Sequence, residues 1–510
     1  MAGGLIDTVA ACPTYVLYTF AAVCAGILWW CNRQNDTKYP PGPWGLPLVG
    51  HIPFLGKNPI PKLEQYRKQY GDVFSLRLGS YHVVVLNGLQ TIKTALTRKP
   101  DDFGARPSVY SFKLISDLQN GNVGLSVPFG PRYKLLRKIT NNALRTFANY
   151  RTNPVEDIIT EEGNKLVNYF LSNGKTAFDP QQEISLSVGS VIYQILFGRD
   201  AKIREDKNYC AMIKSSRDFV EFATVGNPVD IMPWTRFFFH ARTKKFLSII
   251  DIPYRVLATQ SAHHQATYDS DSIRDVMDAL LKAADDISQE EGGDLGLSHD
   301  LVMSITVDLL GAGVDTVSTA LLWGIFFMAS YPEVQKRVQR EIEEQIGLSR
   351  HPTMEDKKCL PFVEATVSEI MRLACITPLS VPRQTTVDVE LGEYKIPKDT
   401  FVMINQQSTC MDPETWGDPE KFRPERFLTE GDGGEITMNS GLAESFMVFG
   451  AGRRRCIGEF LAKIEVFLFF TLLMQRCSFS QSPVEKLSLE RAFGLTVKPK
   501  PFKIIATERG

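Results

Sequence analysis

The stretch FGAGRRRCIG, from Phe449 to Gly458, decides how the rest of this sequence is interpreted. It places Cys456 directly after three arginines and among glycines. Guanidinium groups lower the pKa of a nearby thiol and bind anionic groups, and glycines allow a tight turn. The apolar run LAKIEVFLFFTLL that follows is predicted to be a helix whose N-terminal dipole also favours a negative ligand. Cys456 is therefore predicted to bind a metal centre as a thiolate.

Composition narrows the class of protein. The chain has 510 residues, of which 44% are hydrophobic and 23% charged, and its net charge is −1. It lacks the basic excess that nucleic-acid-binding proteins usually carry, so we expect no nucleic-acid partner. Nine scattered cysteines form no regular framework and indicate reduced thiols in a cytosolic compartment. No internal repeat divides the chain, which favours one large domain.

The N-terminal segment from Ala10 to Trp30 contains no charged side chain, and about 20 such residues span the core of a bilayer. We expect residues 1–9 to be lumenal and residues 10–30 to form a transmembrane anchor. A cleaved signal peptide would begin with basic residues, which MAGGLID lacks; an isolated core helix is the other alternative. Arg33 and Lys38 follow the span, so the positive-inside rule predicts a single-pass protein of the endoplasmic reticulum membrane with a cytosolic main domain.

A proline-rich segment separates this anchor from the main domain. The stretch YPPGPWGLPLVG, residues 39–50, has too many prolines and glycines to continue a helix. Residues 31–50 are therefore interpreted as a stiff hinge, and residues 51–510 as the catalytic domain.

The main domain is predicted to be mainly α-helical with small β-sheets. Residues 74–88, FSLRLGSYHVVVLNG, have the alternation of a two-stranded hairpin. Further strand-like sequence lies at residues 384–405 and at Phe493–Ala506. Most of the remaining chain has helical periodicity with short loops.

The longest predicted helix runs from Leu301 to Ser330. Ser298 offers an N-cap, and Pro332 marks the stop. Asp308 and Asp315 lie in its middle, and each would be costly at the centre of a bilayer. We therefore expect a long central helix through the core of the main domain and not a second membrane span.

The cysteine stretch resembles the heme-binding loop FxxGxRxCxG of the cytochrome P-450 family. It matches this pattern at Phe449, Gly452, Arg454, Cys456 and Gly458. Upstream, EIMR matches the ExxR motif and PERF contributes a further arginine, in the order that the family requires. The resemblance covers roughly residues 38 to 508 and implies the fold of that family, with a buried structural network of Glu369, Arg372 and Arg426.

The same resemblance implies a heme b cofactor with Cys456 as the axial ligand of its iron. Arg137 and Arg383 match positions that usually bind heme propionates, and Tyr133 stands where the family normally has Trp. The cofactor-binding residues implied in this way are Cys456, Arg454, Arg137, Arg383, Phe449, Gly450, Tyr133 and Ala312.

The long helix contains AGVDT, residues 312–316, which resembles the oxygen-activating stretch of the family. Small residues here would let the helix pass close to the heme face. Asp315 and Thr316 supply an acid and an alcohol, and the resemblance implies that they relay protons during oxygen activation. The family often has Ser or Thr at the next position, where this chain has Val317.

The closest similarity is to the vertebrate family-one branch, whose members oxidise planar polycyclic aromatics. RPSVYSFKLISD (106–117) and NPVDIMPWTRFF (227–238) carry this similarity. The pocket departs from the branch, since Val314 replaces a bulkier aromatic residue. The candidate substrate contacts are Phe112, Asp308, Val314 and Leu495. Phe112 and Leu495 have core packing as an equal alternative.

These observations predict a microsomal monooxygenase that inserts one oxygen atom from O2 into an apolar substrate, namely an aromatic xenobiotic, a steroid or a fatty acid. Electrons would come from NADPH through NADPH–cytochrome P-450 reductase, with cytochrome b5 as a possible second donor. Basic residues at 132–138 and 453–455 would form the docking face. The alternatives are a heme-thiolate isomerase or dehydratase and a non-enzymatic heme protein, and the Asp315–Thr316 pair disfavours both.

Overall fold

A 32-residue helix, His299–Ser330, forms the centre of the fold. The Ser298 hydroxyl caps it by accepting a hydrogen bond from the Leu301 amide at 3.3 Å, and Pro332 begins the next helix. Among the described residues it is the one helix long and apolar enough to cross a membrane, but 78% of that span is buried within the protein. The prediction of a long core helix is therefore confirmed.

The computed structural model describes residues 14–32, 38–119, 121, 123–125, 127–147, 155–222, 228–290, 298–431, 433–484 and 486–509. Its α-helices are α1 Thr14–Asn32, α2 Ile52–Leu55, α3 Ile60–Tyr70, α4 Leu89–Lys93, α5 Tyr110–Leu118, α6 Pro131–Phe147, α7 Val155–Ser172, α8 Gln181–Phe197, α9 Lys207–Phe222, α10 Pro228–Ile231, α11 His240–Ala266, α12 Val276–Glu290, α13 His299–Ser330, α14 Pro332–Gln345, α15 Pro361–Ala374, α16 Gln407–Cys410, α17 Pro413–Trp416 and α18 Glu459–Arg476. This helical content fits the mainly α class expected from the sequence.

The strands are short and lie beside the helical core. They are β1 Val73–Leu78, β2 Tyr81–Leu86, β3 Arg383–Gln384, β4 Val389–Leu391, β5 Tyr394–Ile396, β6 Phe401–Ile404, β7 Leu428–Glu430, β8 Ile436–Met438, β9 Cys477–Gln481, β10 Arg491–Ala492, β11 Lys498–Pro499 and β12 Ile504–Glu508. One sheet has four strands in the order β1-β2-β6-β3, and the other pairs are two-stranded. The predicted hairpin is confirmed: β1 and β2 pair antiparallel, with Leu78 opposite Tyr81 across the turn.

The core encloses α13 on several sides. Helices α7, α8, α15 and α18 contribute fully buried apolar side chains to the same cluster as α13. Near its C-terminal end, Trp323 stacks on Phe327, and Phe327 stacks on Phe422 at 4.7 Å between ring centroids. The Trp323 indole donates to the Val497 carbonyl at 2.9 Å, which fixes the C-terminal segment to this helix. Burial of this kind makes α13 a rigid support for the residues that it carries.

The described part of the predicted hinge packs on the sheet. The Ser75 amide donates to the Pro41 carbonyl at 2.7 Å, and its hydroxyl donates to the Pro40 carbonyl at 2.9 Å. Gly50 forms an antiparallel bridge with Leu78. This part of the hinge is therefore attached to the catalytic domain, whereas residues 33–37 lie outside the described part of the chain.

Helix α1 occupies most of the predicted anchor. Residues 10–13 of that segment lie outside the described residues. Tyr18 and Phe20 are 75% and 69% exposed, which leaves these large apolar groups without cover from the rest of the domain. The membrane anchor and its topology remain predictions.

Candidate active site

Two glycines and one backbone hydrogen bond shape the cysteine loop, Phe449–Gly458. Gly450 and Gly452 have φ angles of 70° and 69°, a region that L side chains rarely adopt. A Cβ atom on Gly452 would also clash with the Leu96 carbonyl oxygen, whereas one on Gly450 would meet nothing within 4 Å. The Cys456 amide donates to the carbonyl of the first loop residue at 2.9 Å and closes the loop.

The Cys456 side chain is accessible although protein atoms surround it. The residue is exposed, yet burial among protein atoms raises the pKa of its thiol. The sulfur therefore lies among many protein atoms but keeps a surface that a ligand can reach. The Gly458 N–H group hydrogen-bonds the sulfur, and the charges of Arg137 and Arg455 act to lower the pKa of the thiol. A ligand bound against this surface would meet the sulfur directly.

Arg454 points inward and is bound by uncharged groups. Its guanidinium donates to the carbonyls of Gly104, Leu125 and Val127 at 2.9, 3.0 and 3.1 Å. It also lies 3.6 Å from the centroid of the Tyr133 ring, a cation–π contact. The arginine therefore belongs to the interior of the site and not to a surface patch.

Helix α6 is fastened to the cysteine loop by two side chains one helical turn apart. Tyr133 donates its hydroxyl to the Arg453 carbonyl at 2.8 Å. Arg137 donates to the Arg455 carbonyl at 2.5 Å and to the Tyr133 hydroxyl at 3.4 Å. Tyr133, which replaces the usual Trp, thus contacts the loop backbone directly.

Two more arginines lie beside this loop. Arg383 is 2% exposed and donates to the Ala451 carbonyl at 3.1 Å, while its Nε has no partner among the described residues. Burial and a neighbouring guanidinium lower the pKa of Arg383 to about 10. Arg106 donates to the carbonyls of Val381 and Pro382 at 2.8 and 2.6 Å, and burial lowers its pKa well below the usual range. Sequence analysis missed Arg106, because no motif distinguishes it from a surface arginine.

The guanidinium groups of Arg106, Arg137, Arg383 and Arg454 form a cluster in which electrostatic coupling runs between arginines. Within the described chain, none of the four forms an ion pair with a carboxylate; their partners are carbonyls and a phenol. Buried cations without counter-ions are costly unless an anion binds there. A thiolate ligand beside such a cluster fits an iron porphyrin with two carboxylate side chains.

The face of α13 that carries AGVDT approaches the same region. Ala312 is exposed and Thr316 is half-buried, although the surrounding helix is packed in the core. The Thr316 hydroxyl donates to the Ala312 carbonyl at 2.9 Å. The Leu125 amide donates to Asp308 on this helix at 2.7 Å, and the Leu125 carbonyl accepts from Arg454. One short segment therefore links the cysteine loop to α13.

Asp315 is directed to the C-terminal segment. Its carboxylate pairs with Lys498 at 2.7 Å and accepts a hydrogen bond from the Thr496 hydroxyl at 2.6 Å. The Asp315 and Lys498 side chains are 3% and 12% exposed. The structure thus gives Asp315 and Thr316 different hydrogen-bond partners. Sequence analysis missed Thr496 and Lys498, because this contact joins positions 181 residues apart.

The three residues of the predicted Glu–Arg–Arg network are in contact. Arg372 binds both carboxylate oxygens of Glu369, at 2.7 and 2.9 Å, and both side chains are completely buried. Arg426 donates to the same carboxylate at 3.0 Å and also to the Trp416 carbonyl. Arg372 further donates to the carbonyls of Cys410 and Pro419. The network joins α15 to the segment that precedes the cysteine loop.

The four candidate substrate contacts occupy different environments. Phe112, Asp308 and Leu495 are half-buried. Val314 is completely buried, so it can influence the shape of a substrate pocket only through the residues that it supports. The Asp308 carboxylate accepts from the Leu125 amide, which gives it a structural contact. Roles in substrate binding remain predictions for all four.

Comparison with known proteins agrees with this geometry. The family model for cytochrome P450 matches residues 40–506. Cytochrome P450 1A1 of Rattus norvegicus is 36% identical over 500 residues, which cover 95% of this chain and 94% of the relative. Cytochrome P450 1A2 of Mesocricetus auratus is 38% identical over 498 residues, 94% of each chain. Together with the cysteine loop and the Glu–Arg–Arg network, these matches show that the chain belongs to the cytochrome P450 family of heme-binding monooxygenases.

Proposed function

We propose that this chain inserts one oxygen atom from O2 into an apolar organic substrate, with electrons supplied from NADPH by NADPH–cytochrome P-450 reductase. The observation that carries the proposal is the Cys456 thiol, which keeps accessible surface beside a cluster of four guanidinium groups without carboxylate partners. The AGVDT face of α13 is linked to the same loop. This arrangement supports a heme site with an oxygen-activating face.

Different residues would hold the iron and the propionates of the cofactor. Heme, when bound, supplies the chemistry of dioxygen activation. Cys456 would hold the iron as a thiolate, with the Gly458 N–H group as a hydrogen-bond donor to the sulfur. The four guanidinium groups would bind the propionates, which supply the counter-charge that the protein lacks there. Tyr133 and Arg137 would hold the cysteine loop in a fixed position against α6.

Proton supply is assigned to two adjacent residues with separate contacts. The Thr316 hydroxyl donates to the Ala312 carbonyl; by rotation it could instead donate a proton on the side of α13 where Ala312 is exposed. Asp315 is linked through Lys498 to the partly exposed C-terminal segment. We assign Lys498 and Asp315 to the entry of protons from solvent, and Thr316 to their delivery.

The substrate assigned to this site is an aromatic xenobiotic, with a steroid or fatty acid as the alternative apolar class. Phe112 and Leu495 would supply apolar surface, and the small, exposed Ala312 leaves room beside α13, whereas Gly313 packs against Ile192. We further assign the chain to the endoplasmic reticulum membrane, anchored by residues 10–30, with its catalytic domain in the cytosol. The uncharged apolar composition of that segment supports the anchor.

Reductase docking is assigned to a basic face that surrounds the outer side of the cysteine loop. Lys134, Arg453 and Arg455 are 48%, 51% and 57% exposed in their side chains. Asp101 pairs with the first two, and Glu459 pairs with the third. Positive charge still exceeds negative charge on this face, which suits an acidic flavoprotein or cytochrome b5.

The deciding test is the carbon monoxide difference spectrum of the reduced holoprotein. We expect the strongly red-shifted Soret band of a thiolate-ligated heme, and its loss in Cys456→Ser. Absence of this band from a folded, heme-loaded sample would reject the thiolate assignment. NADPH-dependent oxygen consumption with and without reductase then separates a monooxygenase from an isomerase or dehydratase, which needs no external electrons, and from a non-enzymatic heme protein.

A further inference from the structure

Helix α5 lies in the chain between two residues that contact the candidate heme site. Arg106, which precedes it, belongs to the guanidinium cluster beside the cysteine loop. Leu125, which follows it, contacts both Arg454 and Asp308. The helix between them carries Phe112, a candidate substrate contact. This stretch is therefore fixed at the site on both sides, and the position of α5 decides where Phe112 lies.

The packing of α5 is weak compared with that of α13. None of its 9 residues is fully buried. Its N-cap residue, Val109, is apolar and forms no side-chain hydrogen bond with the first turn. Isolated helices of this length are marginal in water, so a short, partly exposed helix depends on contacts with the rest of the protein. Helix α5 therefore needs support from outside its own sequence.

Asp230 provides this support from α10. One of its carboxylate oxygens accepts a hydrogen bond from the Ser111 amide at 2.6 Å, and the other accepts from the Ser111 hydroxyl at 2.8 Å. The amide belongs to the first turn of α5, where amides lack partners within the helix and negative charge is favoured. Asp230 thus takes the role of an N-cap residue, although it lies 119 positions further along the chain.

Helix α10 is itself attached to the four-stranded sheet. The Ser80 amide, in the turn between β1 and β2, donates to the Ile231 carbonyl at 2.8 Å. Ile231 is buried in the same apolar cluster as Leu78 of β1. The Tyr81 hydroxyl of β2 donates to the Ser108 carbonyl, just before α5, at 3.0 Å. The sheet therefore supports both the carboxylate that caps α5 and the chain that leads into it.

We propose that Asp230 is a positioning residue for substrate binding: it holds α5 closed over the substrate site and so keeps Phe112 against the substrate. This inference rests on the proposed function, because it assigns α5 to the substrate side of that site. Since no residue of α5 is fully buried, the two hydrogen bonds of Asp230 are a main constraint on the helix. Their removal should let α5 move away and weaken the binding of any ligand that extends to Phe112.

Two ligands of the heme iron test the proposal without knowledge of the natural substrate. Imidazole and 4-phenylimidazole both bind iron through a ring nitrogen, but only the second carries an apolar ring. Their dissociation constants are measured from the shift of the Soret band of the full-length holoprotein. Asp230→Ala should weaken the binding of 4-phenylimidazole about three- to thirtyfold, the effect of losing a helix N-cap, and that of imidazole less than about twofold. Phe112→Ala should cause a similar loss, and the double variant should lose little more, because both changes remove the same contact.

Conservative and neighbouring substitutions separate positioning from a general loss of folded protein. Asp230→Asn retains an acceptor oxygen for the Ser111 amide and should restore most of the preference for 4-phenylimidazole. Asp117→Ala removes an exposed carboxylate from α5 itself and should leave both dissociation constants unchanged. Ser111→Ala loses only the hydroxyl contact and should have an intermediate effect, which decides the question even if Asp230→Ala fails to fold.

Hydrogen exchange measured by mass spectrometry gives a readout that needs no ligand. The amides of α5 should exchange faster in Asp230→Ala, whereas those of α13 should not change. Equal weakening of both imidazoles, no preference for 4-phenylimidazole in the wild type, or unchanged binding despite faster exchange would overturn the proposal. Failure of the proposed function would appear separately, as absence of NADPH-dependent turnover in the wild type with reductase, because neither the titrations nor hydrogen exchange require turnover.

Discussion

At the scale of single residues, the two glycines of the cysteine loop offer a matched comparison. Both have positive φ angles, but only Gly452 lies against the Leu96 carbonyl. Gly450→Ala should therefore cost only the conformational strain of an L residue, about 1 to 2 kcal/mol. Gly452→Ala adds a backbone clash and should largely abolish heme incorporation. The ratio of Soret to protein absorbance measures heme incorporation in both variants. Equal losses of heme would show that the contact between Gly452 and the Leu96 carbonyl does not matter.

The Asp315–Lys498 pair makes a second prediction at this scale. Lys498→Met leaves a carboxylate that is nearly buried without its cation, which should cost about 3 kcal/mol of stability. It should also lower the product formed per oxygen consumed, because proton entry is impaired. Lys498→Arg should preserve most of both properties.

Lys500→Met is the control for that prediction. Lys500 also forms an ion pair, with Glu490, but both side chains are more than half exposed. Exposed pairs contribute about 0 to 1 kcal/mol, so stability should change little. Thermal denaturation and the ratio of product to oxygen consumed are the measurements. An unchanged ratio of product to oxygen consumed in Lys498→Met would exclude the lysine from the proton path.

At the scale of elements, helix α18 contains a carboxyl group with no partner. Glu465 is completely buried, and neither of its side-chain oxygens has a hydrogen-bond partner among the described residues. Burial raises its pKa to about 8. The folded protein therefore retains this proton at pH values where the unfolded chain has lost it. Stability should fall as the pH rises from about 4.5 to about 8 and should level off above that range.

Glu465→Gln tests this dependence of stability on pH. The amide cannot ionise, so the variant should be more stable than the wild type at pH 8 by about 4 kcal/mol, with a difference below about 1 kcal/mol near pH 5. Glu355→Gln, at an exposed position, is the control and should leave the pH dependence unchanged. Denaturation midpoints across this pH range provide the measurement. Parallel curves for wild type and Glu465→Gln would show that Glu465 does not titrate as expected.

Local patterns were sufficient to predict several elements but not their contacts. The Ser298 cap and Pro332 marked the two ends of α13, and strand alternation identified the β1–β2 hairpin. The ExxR spacing likewise placed Glu369 and Arg372 on one helix face. By contrast, Arg106 and Lys498 acquire their roles only through long-range packing. No local signal marks such residues, because their partners lie elsewhere in the chain.

At the scale of the whole molecule, net charge and local charge differ. The chain has 57 basic and 58 acidic residues, yet basic side chains predominate around the outer side of the cysteine loop. Asp101 and Glu459 partly neutralise this face by holding Lys134, Arg453 and Arg455. Composition therefore excluded a strongly basic protein but could not reveal a basic face.

Lys138 provides the clearest test of that face, because it is exposed and, within the described chain, forms no ion pair. Lys138→Glu should raise the reductase concentration needed for half-maximal turnover about three- to tenfold at low salt, with maximal turnover and the carbon monoxide spectrum unchanged. Asp101→Asn should lower the reductase concentration needed for half-maximal turnover, since it removes negative charge beside Lys134 and Arg453. Salt should reduce both effects, because it screens exposed charges. Lys202→Glu, after α8, is the control; equal effects of Lys138→Glu and Lys202→Glu would show only a response to net charge, and the docking face would lie elsewhere.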